Sequence, residues 1–335
     1  VILIMIITIE NTCKKGHENE LFTYIRKRLI GLVIVLFGVT VLSFLLANIS
    51  TVDPAEALAH RIIRNPTAEK IEEIRTEMGL NLPLYQQYIH WIGNCLKGDL
   101  GMSLLTKNQV SYDIAQKLPA TMQLVGMSLL WIVITFIPLS VISAVRKNSF
   151  FDQFVRGLTI LGISIPSFWL GFVFLLLFAV TFPVFKVIDY GNIKSLILPS
   201  LVLAIPTASS FTRLFRATVL SNLNKDYIVY AKARGISANR IVWVHVLKNS
   251  LPPIVTLFFQ HLGYLLAGSA VVESVFSLKG IGLHLLNAVQ ARDLPTINGC
   301  VLVIAIIFVL CSMLADGINM LLNPRITDKG EALHG

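Results

Sequence analysis

Six apolar runs divide this chain of 335 residues, and nothing else in it constrains the fold as strongly. They span residues 29–49, 121–145, 155–180, 196–215, 254–275 and 299–322. A helix of roughly 20 apolar residues crosses a hydrocarbon core about 30 Å thick. Lipid offers the backbone no hydrogen-bond partners, so only helices or closed barrels cross it. These runs are far longer than a barrel strand and alternate only weakly at strand period. Composition agrees: 55% of residues are hydrophobic, 14% are charged, and mean hydropathy is +0.72. A globular domain carries about 25% charged residues. The expected fold is an all-α membrane protein of six transmembrane helices, with a long external segment between the first two.

Basic residues orient those spans. Arg26, Lys27 and Arg28 precede the first, and Arg146, Lys147 and Arg156 flank the turn between the second and third. Between the fourth and fifth stand Arg213, Arg216, Lys225, Lys232, Arg234, Arg240 and Lys248, against Asp226. The alternate loops are less basic: Lys186 and Lys194 face Asp189, while Lys279 and Arg292 face Glu273 and Asp293. The positive-inside rule places the three basic sites, and with them both termini, in the cytoplasm. The net charge of +9 is accounted for by this topology and does not point to nucleic acid.

The expected organisation follows. Residues 1–20 form an extension of no assigned function, lacking the basic start and small-residue cleavage site of a secretory signal. Residues 21–49 are a cytoplasmic start and first span, and 50–120 an external soluble segment. A transmembrane core over 121–322 contains a cytoplasmic loop at about 217–252, and 323–335 form a cytoplasmic tail. Cys13, Cys95, Cys300 and Cys311 are scattered, with no CxxC or Cys/His spacing, so neither a disulfide framework nor a zinc site is expected.

In the external segment, Asn65-Pro66 is a helix-start signal, followed by Ile71, Ile74 and Met78 at helical spacing and a stop at Gly79. LYQQYIHWIGNCL offers Tyr85, Tyr88, Trp91 and Ile92 as one face of a second helix. The glycine-punctuated GDLGMS then returns the chain to the membrane. The segment is either a cap on the membrane helices or a docking surface for an external partner. His60 and His90 lie in it without a paired ligand.

Enzymatic chemistry finds no support. No GxxxxGK[ST] loop, HExxH or GxSxG occurs, and Gly280-Ile281-Gly282 is a lone G-x-G that marks a turn. No cofactor is expected in this chain. Glu273 and Asp316 fall near span ends and are read as interfacial acids. Pro138, Pro166 and Pro206 lie within spans, and Pro166 predicts a kink beside Ser164 and Ser167.

The segment DYIVYAKARGISANRIVWVHVLKNSLPP, Asp226 to Pro253, is basic and soluble in character between two membrane runs. Residues 226–234 predict a short helix stopped by Gly235, and 237–248 a second helix with Ile241, Val242, Val244 and Leu247. Ala231 and Ala233 give a small-residue surface. Such a hairpin either lies along lipid headgroups or docks a cytoplasmic partner.

This loop resembles the "EAA" coupling loop of ABC importer permeases, in the dipeptide/oligopeptide/nickel branch. The resemblance rests on Asp226-Tyr227, Ala231, Ala233-Arg234-Gly235, His245, Leu247, Asn249 and Leu251-Pro252. The chain departs from the general motif in having Val229 in place of glutamate, His245 in place of isoleucine, and Leu247-Lys248 in place of Leu-Pro. Further marks run from 21 to 326: FTYIRKRL, DPAE at 53–56, GDLGMS at 98–103, LPAT at 118–121, SIPSFWLG at 164–171 and VVESVFSLKGIG…RDLP…NPRI. Leu278-Lys279 stands where the branch commonly has Trp-Pro.

The resemblance implies half of a two-permease pore in a bacterial inner membrane, driven by two ABC ATPase subunits and fed by an extracytoplasmic substrate-binding protein. It places ATPase coupling on Asp226, Tyr227, Ala231, Lys232, Ala233, Arg234, Gly235, His245 and Leu247. Polar residues in spans tend to face the bundle interior, so Ser164, Ser167, Gln260 and His261 are the candidate pathway residues. Nickel or a nickel chelate is the favoured cargo, with di- or oligopeptides the alternative. The short PVFKVIDYGNIKS loop and His261, the candidate transient nickel contact, resemble nickel-type members. The competing classes are a secondary transporter or channel and a non-transporting membrane scaffold.

Overall fold

The computed structural model describes residues 17–48, 53–185 and 193–322. The N-terminal extension through residue 16, the middle of the PVFKVIDYGNIKS loop and the tail from 323 lie outside the described residues. Twelve helices can be followed: α1 (His17–Asn48), α2 (Pro54–Ile62), α3 (Ala68–Glu77), α4 (Leu84–Leu96), α5 (Val110–Val145), α6 (Phe150–Ser164), α7 (Ser167–Thr181), α8 (Ile193–Leu223), α9 (Asp226–Ala233), α10 (Ala238–Val275), α11 (Ile281–Ala291) and α12 (Leu294–Leu322). Among the described residues there is no strand, only an isolated antiparallel bridge between Met102 and Gln109.

Among the described residues, four helices are long and apolar enough to cross a membrane: α5, α8, α10 and α12. A fifth span results if α6 and α7 count as one, and α1 adds a shorter apolar stretch, Ile30–Leu45. The single kinked third span expected from sequence is in fact two helices meeting at 103°. Pro166 has no N–H to continue α6, and residues before proline are pushed out of the helical region. Ile165 is accordingly extended, with ψ 124°.

The fifth span differs as well. The second hairpin helix and residues 254–275 form one helix, because Pro252 and Pro253 are carried inside α10. A wider turn over Ile241–Val246 precedes them. The loop expected over about 217–252 therefore shrinks to the α9 hairpin, since α8 also runs on to Leu223.

The core joins α5, α7, α8 and α10 around Leu124, Ile132, Val202, Phe211, Phe215 and Ile254. Phe136 meets Phe211 and Phe215 edge-on, each at 5.6 Å between centroids. In lipid, apolar burial adds little to helix association, so interhelical hydrogen bonds and close packing matter more. The bundle has such bonds at both ends. Ser140 Oγ donates to the Thr212 carbonyl at 3.1 Å, and Trp131 Nε1 donates to Ser200 Oγ at 3.1 Å.

α2–α4 form the segment expected to be external. Asp53 caps α2 by accepting from Ala55 N–H at 2.9 Å, with Pro54 in the first turn, and it also pairs with Arg75 of α3. This explains DPAE locally. The cap of α3 is Thr67 rather than Asn65, with Pro66 ahead of it. Ile74 is buried with Ile71 and Met78 beside it, and Gly79 ends the helix as expected. On α4, Tyr88 and Trp91 pack on Phe44 of α1, and Tyr88 hydroxyl bonds Thr40 at 2.9 Å. Tyr85, expected on that face, is exposed.

Candidate functional site

α9 and the start of α10 form the basic hairpin. Its inner side is anchored by Ile228 and Val246, both fully buried, and by Ile241 and Ala231. The turn closes with two hydrogen bonds, Ile236 N–H to the Ala231 carbonyl at 3.2 Å and Gly235 N–H to the Lys232 carbonyl at 2.9 Å. This is the paired closure of a helix ending in a left-handed residue. Gly235 supplies it with φ 73°. Nothing lies within 4 Å of where a Cβ would sit, so the turn faces open space.

The outer side presents Val229, Tyr230, Lys232, Ala233, Arg234 and Gly235, all exposed, with the Arg234 guanidinium 6.0 Å from the Tyr230 ring centre. Of the expected coupling residues, Asp226 is also exposed, while Tyr227, His245 and Leu247 are half-buried. Ala231 does not join Ala233 on one small-residue surface. It points inward at 7% exposure, because it lies on the Ile228 side of α9.

The hairpin stands on a polar foot. Asn222 at the end of α8 donates to Ser250 Oγ of α10 at 2.9 Å and to the Thr218 carbonyl at 3.1 Å. Beside it, Arg216 of α8 pairs with Asp152 of α6, Nε to Oδ1 at 2.6 Å and Nη2 to Oδ2 at 2.7 Å. Ser143 of α5 donates to the same carboxylate at 2.5 Å, and Asn148 N–H does so at 2.9 Å. Three helices are thus tied together where the basic residues cluster. Sequence reasoning counted Arg216 only as a topology charge and passed over Asp152. The signal was Ser149-x-x-Asp152, a helix-start pattern, and Ser149 indeed caps the Asp152 N–H.

At the opposite end, three motifs distant in sequence converge. Glu273 is fully buried rather than interfacial. It accepts from Thr121 at 2.6 Å, from Ser269 at 3.1 Å and from Leu283 N–H at 2.8 Å. Thr121 belongs to LPAT, and Leu283 follows the G-x-G. Asp293 of RDLP accepts from Ser103 of GDLGMS at 2.6 Å and from Thr296 Oγ1 at 2.8 Å. Nearby, His284 Nε2 lies 3.9 Å from Asp113 Oδ2 and has no hydrogen-bond partner among the described residues. Burial holds the His284 imidazole below its ordinary range.

The four pathway residues do not form one cluster. Ser164 is exposed at the end of α6, with its hydroxyl turned back to the Ile160 carbonyl at 2.8 Å. Ser167 opens α7 across the 103° bend, and Gln260 is exposed on α10. At His261, Nδ1 lies 2.9 Å from the Leu257 carbonyl, and the ring meets Phe211 edge-on at 4.8 Å. Among the described residues none of the four bonds to another, and no group of three His, Cys, Asp or Glu is placed to hold a metal ion.

Comparison with known proteins covers nearly all of the described chain. Residues 136–328 match the model of the family described as "Binding-protein-dependent transport system inner membrane component". Residues 21–125 match its N-terminal companion, "Binding-prot-dependent transport system membrane comp, N-term". The chain is 35% identical over 311 residues to the glutathione transport system permease protein GsiC of Escherichia coli strain K12, covering 92% of this chain and 100% of that protein. The proteins of the same name from Shigella dysenteriae serotype 1 and Shigella boydii serotype 4 match with the same identity and coverage.

Proposed function

The chain belongs to the family of binding-protein-dependent transport system inner membrane components, and from that premise we propose that it is one permease subunit of an ATP-driven importer of short peptides. Its partners are a second, homologous permease, two ABC ATPase subunits and an extracytoplasmic substrate-binding protein. The complex sits in a bacterial inner membrane. The chain crosses that membrane six times, α1 and the α6–α7 pair each counting once, with both termini and the hairpin cytoplasmic. The flanking Arg and Lys residues support that orientation. ATP hydrolysis belongs to the partners.

The observation that carries this reading is the hairpin, whose buried inner side fixes an exposed, basic outer side around a left-handed glycine. Seated in a groove of the ATPase, it would be dragged as the two ATPases close. Because α10 begins within it, a rigid helix would pass the movement into the pore, which would then alternate between outward and inward openings.

Peptide cargo is favoured over nickel for two reasons. The full-length relatives are named for transport of glutathione, a tripeptide. His261, the residue that suggested nickel, is engaged with Leu257 and Phe211 in the bundle. The test is uptake of labelled glutathione, a dipeptide and nickel by cells with and without the gene. Loss of peptide uptake alone supports the reading. Loss of nickel uptake that peptides do not compete with overturns the cargo assignment.

A further inference from the structure

We propose that Glu273 is a positioning residue for transport, joining α11 at one end of the bundle to the helix whose other end carries the coupling hairpin. The inference rests on the coupling reading above but not on the cargo. α10 runs unbroken from Ala238 to Val275, 38 residues. At 1.5 Å per residue that is about 57 Å, well beyond a hydrocarbon core of about 30 Å. Its first turns are the second arm of the hairpin, and its last turn bears Glu273.

There the carboxylate holds the first turn of α11. One oxygen accepts from Thr121 and Ser269, and the other from Leu283 N–H at 2.8 Å. Thr121 Oγ1 in turn accepts from Ile281 N–H at 2.9 Å. Two of the N–H groups that a helix start leaves unpaired are thus satisfied by α10 and α5, and negative charge is favoured at that end of a helix. The fit leaves no slack: a Cβ on Gly280 would sit 2.3 Å from the Glu273 carboxyl carbon. Moving α11 relative to α10 would strip Glu273 Oε2 of the Leu283 N–H and leave a buried carboxylate oxygen unpaired, which is costly away from water. Displacement of α10 by the hairpin is therefore delivered to α11 as a body.

The joint is tested in the assembled complex in proteoliposomes, with the native cysteines replaced and a reporter cysteine at exposed Val289 on α11 (Val289→Cys). The measurement is its labelling rate by a membrane-impermeant maleimide, with and without vanadate-trapped nucleotide. With Glu273 present, trapping changes the rate several-fold. With Glu273→Gln the complex still traps nucleotide and the change is lost. Thr121→Val also loses it, whereas Thr121→Ser, which restores the hydroxyl, keeps it. A full response in Glu273→Gln or Thr121→Val overturns the proposal, as does the absence of a response with Glu273 in place. If Glu273→Gln does not assemble, the Thr121 pair decides. Failure of the ATPases to co-purify with the unaltered chain defeats the coupling reading itself, and the joint with it. Peptide uptake plays no part in the readout.

Discussion

Arg216 and Asp152 form a two-pronged ion pair, 2.6 Å from Nε to Oδ1 and 2.7 Å from Nη2 to Oδ2, linking α8 to α6 at the foot of the hairpin. Asp152 is fully buried, and Ser143 and the Asn148 N–H complete its acceptor sites. Two parallel N–H···O bonds fix orientation as well as distance. The pair thus fixes α8 against α6 about two turns before α8 ends at Leu223, where Asn222 ties it to α10.

Asp152→Asn should destabilise the purified subunit by up to about 3–5 kcal/mol, because it leaves the half-buried Arg216 guanidinium without its counter-charge. The double variant Asp152→Leu/Arg216→Met should recover much of that loss, since an apolar pair of similar volume no longer strands a charge. Thermal melts of the two variants check both statements.

Ile228→Ala should cost about 2–5 kcal/mol, the range for emptying a filled aliphatic site. Ile228 is fully buried on the inner side of α9. Arg234→Glu, on the outer side, should leave stability within about 0.5 kcal/mol yet weaken retention of the ATPase subunits. Melting and co-purification, measured on the same preparations, separate the two faces of the hairpin.

His261→Ala should leave uptake unchanged for nickel and peptide alike. Its cost should be confined to stability, about 0.5–1.5 kcal/mol from the edge-on contact with Phe211 plus lost packing. Uptake and melting of the one variant check this. A selective loss of nickel uptake would return His261 to the pathway.

Much of this architecture was legible in the sequence because it depends on local signals. The apolar runs located α5, α8, α10 and α12, and Gly235 and Gly79 marked helix ends that need positive φ. What was not legible depends on contacts between distant segments. Nothing near Glu273 reveals that Thr121 and the first turn of α11 enclose it, so it was read as interfacial. Nothing near His261 reveals Phe211. Proline misled in both directions: Pro166 separates two helices at 103°, whereas Pro252 and Pro253 ride inside one. The difference is legible only in the neighbours that hold each backbone.

The most direct test of the account is peptide uptake per ATP hydrolysed in the reconstituted complex, comparing Gly235→Trp with the unaltered chain. Position 235 has room for a side chain but faces outward at φ 73°, where a bulky residue strains the turn and obstructs whatever seats on it. The account predicts that hydrolysis continues while uptake per ATP falls several-fold. Full uptake with the ATPases still bound would contradict it and remove the hairpin as the point where ATP hydrolysis meets the pore.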